Sequence, residues 1–245
     1  MKTFRVATYN IHKGVQGIAM QRRLEIHNLC HAVRQLDADV VCLQEVRLSN
    51  RKFQRHFRSQ WPEQSQAEFL APEGYQSVYR TNAITRHGEH GNALLSRWPV
   101  DRHQHEDMSD HRFEQRGLLH AQVNAHGRNV HVIVVHLGLI PASRARQIAQ
   151  LRCFIEREVP QSEPLIVAGD FNDWGMQIRR SLRSIELIEF ERDVNATYPA
   201  RLPIVQLDHV YARGLTPLGI EVPRGRDWYR LSDHLPLLAE FAIQA

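Results

Sequence analysis

Four apolar runs in this chain each stop on a side chain able to bind a metal ion or move a proton. "FRVATYN" stops on Asn10, "VVCLQE" on Glu45, "VHVIVVH" on His136 and "LIVAGD" on Asp170. Asp208 closes a shorter run, "PIVQL", and Asn172 follows Asp170 by two residues. In "LSDH" (231–234), Asp233 and His234 come just before the last apolar run. If these runs are strands and the last is antiparallel to the others, all these groups meet at one sheet edge. An edge so rich in acids, amides and imidazoles is costly to hold without a cation or an anionic substrate to balance it.

The ligand types narrow the chemistry. Carboxylate and amide oxygens without thiolate favour Mg2+ or Mn2+ over zinc, and Mg2+ typically takes one or two carboxylates beside a substrate phosphate. Two histidines with carboxylate neighbours suit the stabilisation of a phosphoryl oxygen or the orientation of a base. Metal-assisted attack of water on a phosphate ester fits this inventory. Taken singly, each residue has an ordinary explanation: Asn10 as a turn residue, Glu45 as an ion-pair partner, His136 as a satisfied core histidine, Asp208 and Asp233 as caps. The expectation rests on their concurrence.

The elements that must position these groups are short and β-rich: residues 4–11, 39–46, 91–97, 117–123, 129–137, 164–171, 206–212 and 235–243 read as strands. Leu24, Leu29, Cys30, Val33 and Leu36 share a helical face, as do Ile148, Leu151 and Ile155. Many strands with few helices point to an α/β fold of sheets packed face to face, with helices on the outsides. The chain has 245 residues and no repeat, low-complexity tract or linker, so a single domain over 1–245 is expected. A hydrophobic fraction of 42% and a charged fraction of 24% suit an ordinary globule. No apolar stretch approaches the ~20 residues needed to span a bilayer. "MKTFRVATYN" reads as a strand rather than a secretion signal, which makes a cytoplasmic location the default expectation; a monomer is expected.

Cys30, Cys42 and Cys153 lie in apolar patterns without CxxC spacing and read as reduced, buried fillers. The net charge is +4, and only Lys2, Lys13 and Lys52 are lysines. Arginine forks suit phosphate, although a GC-rich coding bias would give the same composition.

In order and interval, "TYNIHKG", "CLQEV", "HGNALLSRWP", "VHLG", "VAGDFND", "LDHVY" and "LSDHLPL" resemble the endonuclease/exonuclease/phosphatase superfamily. That group includes deoxyribonuclease I, abasic-site endonucleases, sphingomyelinases, inositol polyphosphate phosphatases and deadenylases. The resemblance runs from the first strand to the last and is nearest to short bacterial members. It implies a four-layered α-β-β-α sandwich of two mixed, largely antiparallel sheets (the DNase I-like fold), with the site at one edge. It also implies that Asn10 and Glu45 hold the divalent cation, Glu45 being the principal ligand, and that Asp233 is a further metal-side carboxylate. By the same resemblance Asp170 activates the attacking water, Asn172 helps place water and phosphate, His136 and His234 donate to phosphoryl oxygens, and Asp208 orients His234. Several nuclease members carry an acid where this chain has His12, a departure that bears on any second metal position.

Other residues keep two readings. Arg116 is a phosphate contact or a structural ion pair. Arg144 and Gln147 are substrate contacts or a solvated helix face. Asn92 is a substrate contact or a turn residue. Arg224, Arg226 and Arg230 form a basic rim or a solvated loop, and His103, His105 and His111 have no spacing that fixes a metal geometry. Asp173 and Trp174 belong to the start of the next helix or to the pocket rim. The expected partner is a phosphate ester: a nucleic acid, or a phospholipid or small phosphodiester for which Trp98, Trp174, Trp228 and Tyr229 would supply an apolar lip. The alternative is an inactive member of the fold that binds phosphate without hydrolysing it.

Overall fold

A computed structural model describes residues 2–17, 21–175, 178–190 and 195–243. The strands are β1 (Lys2–Asn10), β2 (Val15–Gln16), β3 (Arg23–Leu24), β4 (Val40–Asn50), β5 (Gln76–Thr85), β6 (Gly88–Ser96), β7 (Val100–Asp107), β8 (Gly117–Ala125), β9 (Arg128–His136), β10 (Leu165–Asp170), β11 (Asp208–Arg213), β12 (Thr216–Glu221) and β13 (Leu237–Ile243). The helices are α1 (Ile26–Gln35), α2 (Arg51–Phe57), α3 (Gln66–Leu70), α4 (Pro141–Glu158), α5 (Ile178–Arg183) and α6 (Arg226–Tyr229).

Two sheets carry the fold, in the orders β12-β13-β1-β4-β6-β5 and β11-β10-β9-β8-β7. Within each, one parallel pair (β1 with β4, β9 with β10) lies among antiparallel neighbours. Alternation along the strands decides which residues face which layer. Phe4 and Val6 of β1, Val40 and Cys42 of β4, Val132 and Val134 of β9, and Ile166 and Ala168 of β10 share one core between the sheets. The intervening residues face outward: Ala7 and Tyr9 pack with α1 and α3, while Ile133 and Val167 pack with α4 and α5. The order of layers is therefore α-β-β-α, as the resemblance implies.

The eight apolar runs all lie in strands, with ends shifted by a few residues. Five of the described strands had no such run: the two-residue β2 and β3, which pair with each other, and β5, β7 and β12, each at the edge of one of the two large sheets. Edge strands bury less and carry charge against unwanted pairing; β7, "VDRHQHED", is mostly exposed. Glu45 lies inside β4 rather than at its end, and Asp208 opens β11 rather than closing the run before it. Cys30 and Cys42 are buried, but Cys153 is exposed on α4, which corrects the expectation of a buried filler.

Gly169 fits closely between β10 and β9. Its φ is +156°, and a Cβ there would stand 1.9 Å from the carbonyl oxygen of Val135. Gly169→Ala is expected to destabilise the protein by on the order of 2 kcal/mol or more, read as a melting temperature lower by about 5 °C. An unchanged melting temperature would mean that the two strands part at no cost.

Candidate active site

The site is the last layer of the inter-sheet core. In β1 the inward row Phe4, Val6, Thr8 ends on Asn10; in β9 Val132 and Val134 lead to His136; in β10 Ile166 and Ala168 lead to Asp170. Asp208 shares its face with Val210 and Ala212 of β11. Strand register then aligns the ends, because Asp170 pairs laterally with His136 on one side and with Asp208 on the other. Beneath them Thr8 and Gln44 hydrogen-bond each other, a buried polar step between the aliphatic core and the charged rim. His234 arrives from the turn before β13, tied down by Ser232, whose Oγ donates to the Asn10 carbonyl (2.6 Å) and accepts from the His234 amide (3.3 Å).

Asp170 is the hub. Its Oδ1 accepts from the Asn172 amide (3.0 Å) and its Oδ2 from Asn10 Nδ2 (3.0 Å), a bond that joins the two sheets. Nε2 of His136 lies 3.5 Å and Nε2 of His234 3.6 Å from that same Oδ2. Burial raises the Asp170 carboxyl above the ordinary carboxylate range and Asp208 adds to this, against the pull of His234 and the two amide donors. Burial also disfavours charge on His234, but Asp208, with its Oδ2 2.8 Å from Nδ1, and Asp170 overcome it and raise the imidazole to about 10. His136 has no such partner; burial first, then Arg116 and His234, hold it neutral. The two histidines thus differ in charge although both face the same carboxylate. Asp170, Asp208 and His234 offer one ligand atom each, all within 4.8 Å of one another, a group that could hold a metal ion.

Glu45 enters from a bulge. Leu43 pairs with Ala93 and Val46 with Gly91, so Gln44 and Glu45 together oppose Asn92 alone. The extra residue shifts the phase of β4: Val46 falls on the outer face with Val41 and Leu43, while Glu45 takes a left-handed φ of +57°. Its buried Oε2 meets cations, Lys13 Nζ at 3.0 Å and His12 Nδ1 at 4.0 Å. His12 Nδ1 is also 3.1 Å from Asp233, so two carboxylates converge on the "HK" of "NIHKG". Burial would raise the Glu45 carboxyl, but Lys13 and His12 bring it below the usual value; Asp233, with His12 bonded to it, is held at about 2 despite its burial.

The structure therefore brings together Asn10, Glu45, His136, Asp170, Asn172, Asp208, Asp233 and His234. Asn172, with φ +49°, donates its side-chain amide to the Leu137 carbonyl (2.9 Å) and anchors the loop after β9. Arg116 lies close by, with Nε on the Leu137 carbonyl (3.2 Å) and Nη2 on Glu114 (3.1 Å). Two substrate-contact candidates are engaged elsewhere. Asn92, fully buried inside β6, donates to the carbonyls of Gly117 and Val134 and so ties one sheet to the other. The Arg144 guanidinium is buried on the carbonyls of Gly138 and Leu139, and Gln147 bonds the Gly138 amide; both shape the loop rather than a solvated face. Arg226 and Arg230 line a separate 370 Å3 cavity against α1. Trp98 packs on His126 in the β8–β9 turn, at the opposite end from the site. His103 pairs with Arg80, His105 with Asn82 and His111 with Glu114, so the three do not converge. Asp173 accepts from the Ile178 amide at the start of α5, and Trp174 is exposed on the rim, edge-on to Tyr198.

Three contributors escaped the sequence reading. Thr197 Oγ1 donates to Asp208 Oδ2 (2.6 Å), Tyr198 lies over His234 with ring centres 5.0 Å apart, and Lys13 meets Glu45. Thr197 and Tyr198 stand in a loop without periodicity, and only the lateral approach of that loop to β11 gives them a role.

Asp208→Asn is expected to lower the pKa of His234 from about 10, since burial is then opposed by Asp170 and Asp233 alone. A histidine NMR titration reads this directly. The wild-type stability gained from this pair is complete below the unfolded pKa near 6.5 and lost as the pH rises through about 10. An unmoved His234 resonance would break the assignment.

A sequence model of the Endonuclease/Exonuclease/phosphatase family matches residues 7–234. The protein YbhP of Escherichia coli (strain K12) is 38% identical over 250 residues, 98% of this chain and 97% of its own. Sphingomyelinase C of Leptospira interrogans is 28% identical over 134 residues, 47% of this chain and 23% of its own. Among solved structures, an endonuclease/exonuclease/phosphatase from Beutenbergia cavernae DSM 12333 superposes with a TM-score of 0.77 at 22% identity, covering 98% of this chain and 72% of that one. The family match spans the chain from β1 to the turn that carries His234, and on that ground the protein belongs to the Endonuclease/Exonuclease/phosphatase family.

Proposed function

We propose that this protein is a Mg2+- or Mn2+-dependent phosphodiesterase. The observation that carries the reading is the Asp170 carboxylate, flanked by one neutral and one charged imidazole and lying beside the Glu45–Asp233 pair. The residues present fit a hard divalent cation: Glu45 Oε2 is buried and faced by cations, and Asn10 Oδ1 keeps a lone pair beyond its bond from the His12 amide. Glu45, Asn10 and Asp233 would hold that cation, whereas both ring nitrogens of His234 already face carboxylates. When bound, such an ion supplies charge neutralisation and polarisation at the phosphate.

The remaining work falls to the chain. Asp170, poised by its raised pKa to accept a proton, takes one from the attacking water as oxygen adds to phosphorus and the bond to the leaving alkoxide breaks. His234, held as an imidazolium by Asp208, donates to a phosphoryl oxygen as negative charge accumulates there. Neutral His136 donates from the other side, and Asn172 orients water and phosphate. Thr197 and Ser232 are positioning residues that fix Asp208 and the His234 turn. Each of these positions holds a side chain competent for its step, which favours hydrolysis over mere phosphate binding.

Turnover of bis(p-nitrophenyl) phosphate, with and without EDTA, tests the reading. Activity is expected to need added Mg2+ or Mn2+ and to fall by about 10²–10⁴-fold in Asp170→Asn and His234→Ala. Turnover that survives EDTA, or that is unchanged from wild type in both variants, would refute it.

A further inference from the structure

Ten large apolar side chains stand exposed among the described residues, and eight of them lie at the catalytic edge. Phe113 is on the loop entering β8, Leu139 and Ile140 follow β9, Trp174 follows β10, and Leu202 and Ile204 precede β11. Leu48 and Ile84 project from the part of β4 and β5 that extends past Glu45. The other two, Ile188 and Leu218, lie elsewhere. Scattered exposed apolar groups are ordinary, but such a concentration around one site marks a surface that meets something apolar.

A second observation comes from the β4–β5–β6 extension. A 1030 Å3 cavity at its end is lined by Arg22, Arg51, Lys52, Arg55 and Arg86 with two histidines, over a floor containing Phe53. Among the described residues no carboxylate lines it. Arg51 and Arg55 are four residues apart on α2, an arrangement in which like charges oppose the helix. Helix stability does not account for that pairing, whereas an anionic surface would offset its cost.

We propose that the catalytic edge docks on an anionic phospholipid bilayer: the apolar loop tips enter the interface and the arginine-lined cavity takes lipid phosphates. Six of the eight exposed groups are leucine or isoleucine. Aliphatic side chains offer no stacking face to a nucleobase and no bond to a phosphate backbone, but they do partition into the acyl boundary, with flanking cations adding attraction to anionic headgroups. No helix of the described residues is long and apolar enough to cross a membrane. The proposal rests on the phosphodiesterase reading for its catalytic meaning and names the substrate class of that site as a membrane phosphodiester.

Vesicle sedimentation in EDTA reads docking without turnover. Three probes are compared: neutral phosphatidylcholine vesicles, vesicles containing phosphatidylglycerol, and a fluorescent single-stranded oligonucleotide. Wild-type protein is expected to bind the anionic vesicles, in a salt-sensitive manner, at least tenfold better than the neutral ones. Leu139→Ser/Ile140→Ser/Leu202→Ser/Ile204→Ser is expected to lose at least tenfold on both kinds of vesicle. Arg51→Glu/Arg55→Glu/Arg86→Glu should lose the preference for anionic lipid and keep the neutral-vesicle level. Both variants are expected to keep the wild-type melting temperature and turnover of bis(p-nitrophenyl) phosphate. Absence of vesicle binding, equal binding by all three proteins, or oligonucleotide binding that disappears with the arginines while vesicles remain unbound would overturn docking. Docking that persists in a protein without metal-dependent turnover would instead overturn only the hydrolase reading.

Discussion

Everything at the site depends on one cross-sheet hydrogen bond, from Asn10 Nδ2 to Asp170 Oδ2. The donor belongs to the six-stranded sheet and the acceptor to the five-stranded one. Separation of the sheets by even an ångström would break the bond and leave a buried carboxylate short of a donor. The tie forms because both residues end rows of core side chains, so the aliphatic packing below sets the distance above. Asn92 performs the same service from β6, reaching carbonyls of β8 and β9. The buried asparagines join the halves that supply Glu45 on one side and His136, Asp170 and Asp208 on the other.

Charge is apportioned with equal economy. His136 and His234 approach the same oxygen, yet one is neutral and the other cationic because Asp208 stands behind only one of them. Two imidazolium ions on a single buried carboxylate would repel each other, and two neutral rings would leave Asp170 and Asp208 uncompensated. In the arrangement seen, one imidazolium stands between the two buried carboxylates and serves both.

Much of this could be read before the fold was known, because the central strands are apolar on both faces and their polar terminators stand out. Asn10, Glu45, His136 and Asp170 were legible in this way, with Asn172 and the "SDH" turn beside them, and the order of motifs supplied the role expected of each. The reading failed where a residue's role is created by a distant neighbour. Arg144 looked like a free cation near a helix start but is absorbed by two carbonyls of its own loop. Thr197 looked like nothing until the loop carrying it folded onto Asp208. The edge strands β5, β7 and β12 were invisible because solvent on their faces erases the pattern that buried strands display.

The bulge at Glu45 has a consequence for how such a chain can change. Removing one residue between Leu43 and Val46 would give β4 an unbroken ladder with β6 and relieve a strained φ, a gain in local regularity. The same deletion would leave Val46 on the outer layer with Leu43 and withdraw the Glu45 carboxylate from the charged rim. Selection for robustness alone would drive this strand toward the shorter version, so the extra residue persists only while the carboxylate is in use, and its loss would record abandonment of the chemistry in the length of a single strand.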